Sequence, residues 1–379
     1  MPAETTLSNA RIVLPDEVIS GHLVIRDGKI AAIGEGPASG EDMEGDVLIP
    51  GLVELHTDHI ETHFMPRPKV FWDMFAALQA HDAQIAASGI TTVFDAIRVG
   101  TDEDATLTVD TMEKLSNVIA EAASSDDTRA EHFIHLRCEV SAPDAEEGFE
   151  RLSKNPRVRL ASLMDHAPGQ RQFVSLETYR VYYQKKKALS DEAFESFTQR
   201  RIAESEANSG RSRRVIAAGA RERGIALASH DDATEAHVAE ALELGTQIAE
   251  FPTTLEAAKA SHGAGLGVLM GAPNIVRGGS HSGNVAAHDL LAAGQLDILS
   301  SDYIPFSMLQ AAFLLAREGT LDLAPAIRLV TANPARAAGL ADRGEIALGK
   351  RADLVRIREP RPKRPPLVVS VHRAGRRVA

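Results

Sequence analysis

Residues 47–58 read VLIPGLVELHTD. An apolar run of this length, broken only by Pro50-Gly51 and closed by a histidine and an aspartate, predicts a strand buried on both faces. Seven further runs of the same kind follow at 91–96, 133–140, 159–165, 225–230, 246–251, 266–271 and 297–301. Helical patterns lie between them, at 73–88, 105–123, 234–244, 254–261 and 285–293. Eight apolar β runs alternating with helices predict an α/β fold, a (β/α)8 barrel with parallel strands.

The two ends differ from this middle. Residues 8–33 alternate apolar and polar positions around the turn Asp27-Gly28, and residues 344–378 do the same around a proline-rich bend at 360–366. Both read as short antiparallel strands, and neither can bury a core alone. The expected arrangement is one small β-sandwich made of residues 1–46 and 336–379, with the barrel, 47–335, inserted between. One connection is oversized. Residues 167–224 carry a charged helical stretch with three lysines at 185–187, expected as a helical hairpin or a substrate-positioning lid.

Composition limits the function. The chain has 379 residues, 44% of them hydrophobic and 25% charged, with a net charge of −12. That balance argues for a globular protein and against nucleic-acid binding. No run of 18 apolar residues exists to span a membrane. The single cysteine, Cys138, cannot pair internally and points to a reducing, cytoplasmic setting. A homodimer is the expected assembly.

Barrel enzymes carry their chemistry at the C-terminal ends of the strands. Here those ends hold His56, Asp58, Glu139, His166, His230 and Asp302. One histidine is weak evidence, but five strand ends carrying imidazole or carboxylate suit one or two divalent ions, zinc first and manganese or iron as alternatives. His56 and Asp58 share a strand face, so both can meet one ion. His59, Glu61 and His63 follow closely, as added ligands or as residues orienting them. Cys138 faces the opposite way from Glu139 and is expected as a core thiol.

Three basic loops accompany this set. Arg67 and Lys69 lie in a segment stiffened by Pro66 and Pro68; Gln170 and Arg171 follow Gly169; Arg277, His281 and Asn284 belong to the glycine-rich stretch 271–284. Glycine allows backbone N–H groups close to phosphate, and arginine grips it bidentately. These seven side chains are the expected phosphate-binding group.

The stretch PGLVELHTD, the terminal GEIALGKRADLV and the late Asp302 resemble the amidohydrolase superfamily. That resemblance implies a distorted barrel, a flanking β-sandwich and one or two metals. The longer motifs HTDHIETHFMPRP, SLMDHAPGQRQF and MGAPNIVRGGSHSGN are similar to the phosphonate-utilisation branch of the superfamily, in the carbon–phosphorus lyase pathway. The implied reaction is hydrolysis of alpha-D-ribose 1-methylphosphonate 5-triphosphate, a small-molecule ribosyl triphosphate, to the 5-phosphate and pyrophosphate. By that resemblance Asp302 accepts the proton from an attacking water. The sequence departs from many superfamily members in having His-x-Asp in place of His-x-His, and no lysine stands ready to bridge two metals. Glu139 is the expected substitute. Attack at the α- or the β-phosphorus gives the same products. The rival reading is an amidohydrolase acting on a C–N bond, as a cyclic amidase or deacylase; an amide would not need so many cations at the mouth.

Overall fold

The computed structural model describes residues 4–101, 107–171, 180, 190–280, 283–359 and 364–379. The opening stretch 47–58 divides in two. Val47–Pro50 (β5) pairs with the terminal strands, and Leu52–Thr57 (β6) is the first barrel strand. Gly51 is the crossing point, where a Cβ would run into Thr91 Oγ1. The single strand expected over 47–56 is therefore two, and a missing side chain lets the chain pass from one sheet to the other.

The barrel strands follow as Ile90–Val99 (β7), Glu131–Glu139 (β8), Val158–Met164 (β9), Ala226–His230 (β10), Ile248–Glu250 (β11), Gly267–Gly271 (β12) and Ile298–Ser300 (β13). All seven neighbouring pairs are parallel, in sequence order. The seam between β13 and β6 is nearly closed by a Thr57–Asp302 bridge. His56 C=O accepts from Asp302 N–H at 3.0 Å, and Ser301 N–H donates to Glu54 Oε2 at 2.6 Å. Burial raises the Glu54 carboxyl to about 7 against those hydrogen bonds.

Each strand sends at least one apolar side chain into the barrel floor, from Leu55 of β6 through Phe94, Leu160 and Leu269 to Ile298 of β13. Two residues further along the inward face these give way to polar groups, such as His135 on β8 and Ser162 on β9. Outward-facing side chains such as Ile134, Leu136 and Cys138 pack under the helices. Cys138 is wholly buried, and burial pushes its thiol pKa up.

The described helices are Ile60–Phe64 (α1), Met74–Ala87 (α2), Val109–Ser124 (α3), Ala145–Leu152 (α4), Asp191–Arg223 (α5), Glu235–Leu244 (α6), Leu255–Gly263 (α7), Ala272–Arg277 (α8), Ala287–Ala292 (α9), Ser307–Arg317 (α10), Leu323–Arg328 (α11) and Ala332–Ala337 (α12). Side-chain caps from Asp73, Thr108, Ser190, Thr234 and Thr254 fix five of their starts. The oversized connection resolves mainly into α5, one long helix packed on α4 and α6, and not a hairpin over its described part. Its lysine run at 185–187 lies outside the described residues.

Both termini build one mixed, mostly antiparallel sheet, in the order β16-β15-β14-β5-β1-β2-β3. Its strands are Glu4–Val13 (β1), Val18–Arg26 (β2), Lys29–Glu35 (β3), Val47–Pro50 (β5), Leu354–Arg358 (β14), Leu367–Arg373 (β15) and Arg376–Arg377 (β16), with Glu41–Asp42 (β4) beside β1. Asp27 and Gly28 turn β2 into β3 with φ of 52° and 74°, the two left-handed residues of a tight hairpin.

Candidate active site

The polar ends of the inward faces open into one cleft of about 490 Å³, lined by His56, Asp58, Glu61, His166, His230, Asp231 and Asp302, and by Arg98, Arg137, Arg277 and Asn284. Five of the six residues expected to hold metal, His56, Asp58, His166, His230 and Asp302, thus meet across the barrel mouth.

Glu250, at the end of β11, organises two of them. His56 Nδ1 donates to its Oε1 at 3.1 Å, and His230 Nδ1 to its Oε2 at 3.0 Å. Ser162 Oγ adds a third bond at 2.8 Å. With both Nδ1 atoms occupied, the lone pairs of His56 and His230 sit on Nε2. Burial would raise the Glu250 carboxyl, but the adjacent His56 and His135 and these hydrogen bonds hold it well below the usual range.

Glu139 does the same for His166. Its Oε2 accepts from His166 Nδ1 at 2.6 Å, and its Oε1 accepts from Ser141 Oγ at 2.7 Å and from His166 N–H at 3.1 Å. The expected bridging carboxylate is thus committed behind a histidine and does not line the cleft. Its local partners, two and 27 residues away, claim both oxygens first.

The group that does face the histidines is Asp231. Its Oδ2 lies 3.5 Å from His230 Nε2 and 3.7 Å from His166 Nε2. That oxygen is buried without a hydrogen-bond partner, and the backbone holds Asp231 at φ 57°, a strained position typical of functional sites. His166, His230 and Asp231 offer three ligand atoms within 4.8 Å of one another. The orphaned oxygen between two imidazole lone pairs fits a divalent cation.

Asp302 is pinned by the barrel seam beside His56, also at positive φ (57°). Burial, reinforced by Asp58, raises its carboxyl pKa while His56 opposes the shift. Asp58 accepts from Arg137 Nη1 at 3.2 Å. Burial and the nearby Asp58 also raise Glu61.

The basic loops divide. Arg277 and Asn284 line the cleft, together with Gly279 and Ser280. Arg171 turns inward to Asp232 and Glu240, because a buried guanidinium needs carboxylate partners. Gln170 closes a turn on Ala167, and Arg67 and Lys69 sit on an exposed turn; none of these three lines the cleft. His281 lies outside the described residues. His59 and His63 turn away from the cleft toward α2. Arg98 and Arg137 take up the cationic role from the ends of β7 and β8. Sequence reading missed Arg98, Asp231 and Glu250, although each sits at the end of an expected strand, where the same positional rule applied.

Residues 68–379 match the amidohydrolase family. The chain belongs to this family. An Escherichia coli relative, alpha-D-ribose 1-methylphosphonate 5-triphosphate diphosphatase, is 51% identical over 354 residues, covering 92% of this chain and 94% of that protein. Among solved structures, N-acetyl-D-glucosamine-6-phosphate deacetylase from Mycobacterium smegmatis superposes with a TM-score of 0.64 at 16% identity, covering all of both chains. An amidohydrolase from a Sargasso Sea environmental sample gives 0.66 at 19% identity, covering 100% of this chain and 93% of the other. These two share the amidohydrolase fold, the barrel with its terminal sheet.

Proposed function

We propose that this chain hydrolyses alpha-D-ribose 1-methylphosphonate 5-triphosphate to the 5-phosphate and pyrophosphate, in phosphonate catabolism. The observation that carries this reading is the 51% identity to the diphosphatase of that name along nearly the whole of both chains. The cleft supports it, since three arginines share one opening with the His166–His230–Asp231 group.

His166, His230 and Asp231 would hold a divalent ion, and His56, Asp58 and Asp302 line the same opening. Such an ion would supply an activated water near neutral pH and screen phosphate charge. Zinc suits imidazole and carboxylate donors together. Glu250 and Glu139 keep the imidazoles in the tautomers that leave Nε2 unprotonated. Asp302, held beside His56 at the barrel seam, takes the proton of the attacking water. Arg98, Arg137 and Arg277 offset charge on the reacting and leaving phosphates, with Asn284 beside them. The barrel and terminal sheet act as the two domains, divided at Gly51, since Val47–Pro50 pairs in the terminal sheet, and near residue 336. A cytoplasmic homodimer completes the reading; light scattering tests the assembly.

Pyrophosphate release from the ribosyl triphosphate, with ATP as control, tests the activity. Absence of release in the presence of zinc, manganese and iron in turn overturns it. Turnover in ¹⁸O-water places the label in the 5-phosphate for α attack and in pyrophosphate for β attack.

A further inference from the structure

The long helix α5 carries a row of buried polar residues. Arg201, Ser205, Ser209 and Arg213 recur at every fourth position and so lie along one stripe of the helix. All four are buried, between 4% and 7% exposed. Further along, the same helix buries Ile216, Ala217 and Ala220 in the apolar layer outside the barrel wall. Buried ion pairs and hydroxyls add little stability over apolar side chains of similar volume. A helix docked for stability alone would therefore carry apolar residues along the whole stripe. The polar positions are those that meet Glu139, Ser141 and Asp165, beside and behind His166.

Ser205 Oγ and Ser209 Oγ both donate to Asp165 Oδ2, at 2.9 and 2.7 Å, and Arg213 Nη2 donates to the same oxygen at 3.4 Å. The other oxygen, Asp165 Oδ1, accepts from Ala167 N–H at 3.1 Å. His166 stands between these two residues, so the clamp on Asp165 fixes the backbone turn that carries it. Arg201 acts on the His166 side chain through a second acid. Its Nη2 donates to Ser141 Oγ at 3.1 Å and lies 3.5 Å from Glu139 Oε1. Ser141 Oγ donates to that same oxygen at 2.7 Å, and Glu139 Oε2 accepts from His166 Nδ1 at 2.6 Å. Neither the four residues of the row nor Asp165 and Glu139 line the cleft.

We propose that Arg201, Ser205, Ser209 and Arg213 are positioning residues that set His166 for metal binding from behind the cleft. This rests on His166 being a ligand, as under the proposed function. The His166 side chain is 17% exposed, against 6% for His230 and 1% for His56. Packing therefore restrains it least, and its hydrogen bonds must do more. Glu139 decides which imidazole nitrogen keeps its lone pair, while α5 holds Glu139 and the turn 165–167 in place. The oversized connection thus serves the site without touching substrate.

The test is zinc affinity by competition with a chromophoric chelator, with circular dichroism and thermal melting of the metal-free proteins alongside. Ser205→Ala/Ser209→Ala removes two hydroxyls and no apolar contact, and Arg201→Met keeps most of the buried volume. Each should keep a native dichroism spectrum and bind zinc about three- to tenfold more weakly than the parent, below the roughly 10–100-fold expected for a partner that touches the ligand itself. Ile216→Ala, an apolar truncation of the same helix, should lower the metal-free melting temperature and leave zinc affinity unchanged. His166→Ala calibrates the assay. If it binds zinc as the parent does, His166 is no ligand, and the proposed metal site falls together with this inference. If His166→Ala loses affinity while the folded Ser205→Ala/Ser209→Ala and Arg201→Met proteins stay within about twofold of the parent, only the role of α5 is overturned. An equal loss in Ile216→Ala overturns it too, since general loosening of the helix would then account for the effect.

Discussion

Replacing Glu250 with glutamine exchanges one acceptor oxygen for a donor and is expected to weaken metal binding at the cleft. Glu250 is 1% exposed, and its two oxygens accept from His56 Nδ1 at 3.1 Å and His230 Nδ1 at 3.0 Å. Glutamine keeps the shape but only one of those acceptors. Its amide NH₂ then meets an imidazole N–H, and two buried donors cannot share one contact. The affected histidine recovers a bond by moving its proton to Nε2, which removes the lone pair aimed at the ion. Losing a hydrogen bond to a charged group costs about 1.5–3 kcal/mol, equivalent to roughly a 10–150-fold loss in affinity. Outer partners of metal-bound histidines account for a similar range, about 10–100-fold. Zinc affinity is read by competition with a chromophoric chelator, and kcat/KM by pyrophosphate release. Both should fall by at least about tenfold while the far-ultraviolet dichroism stays native. A folded Glu250→Gln protein with zinc affinity within about twofold of the parent refutes the reasoning.

Asp302→Asn should abolish turnover with zinc content close to normal, because the carboxylate is assigned to proton transfer; retained activity removes that role. Arg277→Ala should lower kcat/KM for the triphosphate by about tenfold, the value of one charged contact, while a ribosyl monophosphate competes equally well against both proteins; an unchanged kcat/KM places the leaving charge elsewhere. His372, 5% exposed on β15 with Nδ1 unpartnered, has its pKa lowered by burial, against the opposing charge of Glu41. Its folded value lies below the ordinary value of about 6.5, so its contribution is complete above that pH and is lost as pH falls below it. His372→Leu should therefore show a shallower fall in melting temperature between about pH 7 and pH 5; parallel curves for the two proteins argue against it.

The barrel was legible because each of its strands is an apolar run closed by polar residues, and that period needs no tertiary information. The terminal strands were legible for a similar reason, with Asp27-Gly28 marking the hairpin. The same rule pointed to His56, Asp58, His166, His230 and Asp302. It also pointed to Glu139, and there local pairing with Ser141 and His166 decided the outcome.

What only the folded chain settled is which polar group at a strand end faces the cleft and which serves another residue. Arg171 and Arg277 look alike in sequence, each beside glycine in a polar loop. One is drawn to Asp232 and Glu240, and the other lines the cleft that the histidines share. His59 and His63 share a loop with Asp58 and Glu61, yet a short helix sends the two pairs to opposite sides of the barrel wall. Asp231 and Glu250 gain their meaning from His166, His56 and His230, and all but the adjacent His230 lie 65 residues or more from the carboxylate they meet. Sequence determines where polar groups leave the apolar strands, because that is written in each strand's own period. Tertiary structure decides their partners, because a buried charge must find its counter-charge wherever in the chain the fold brings one within reach.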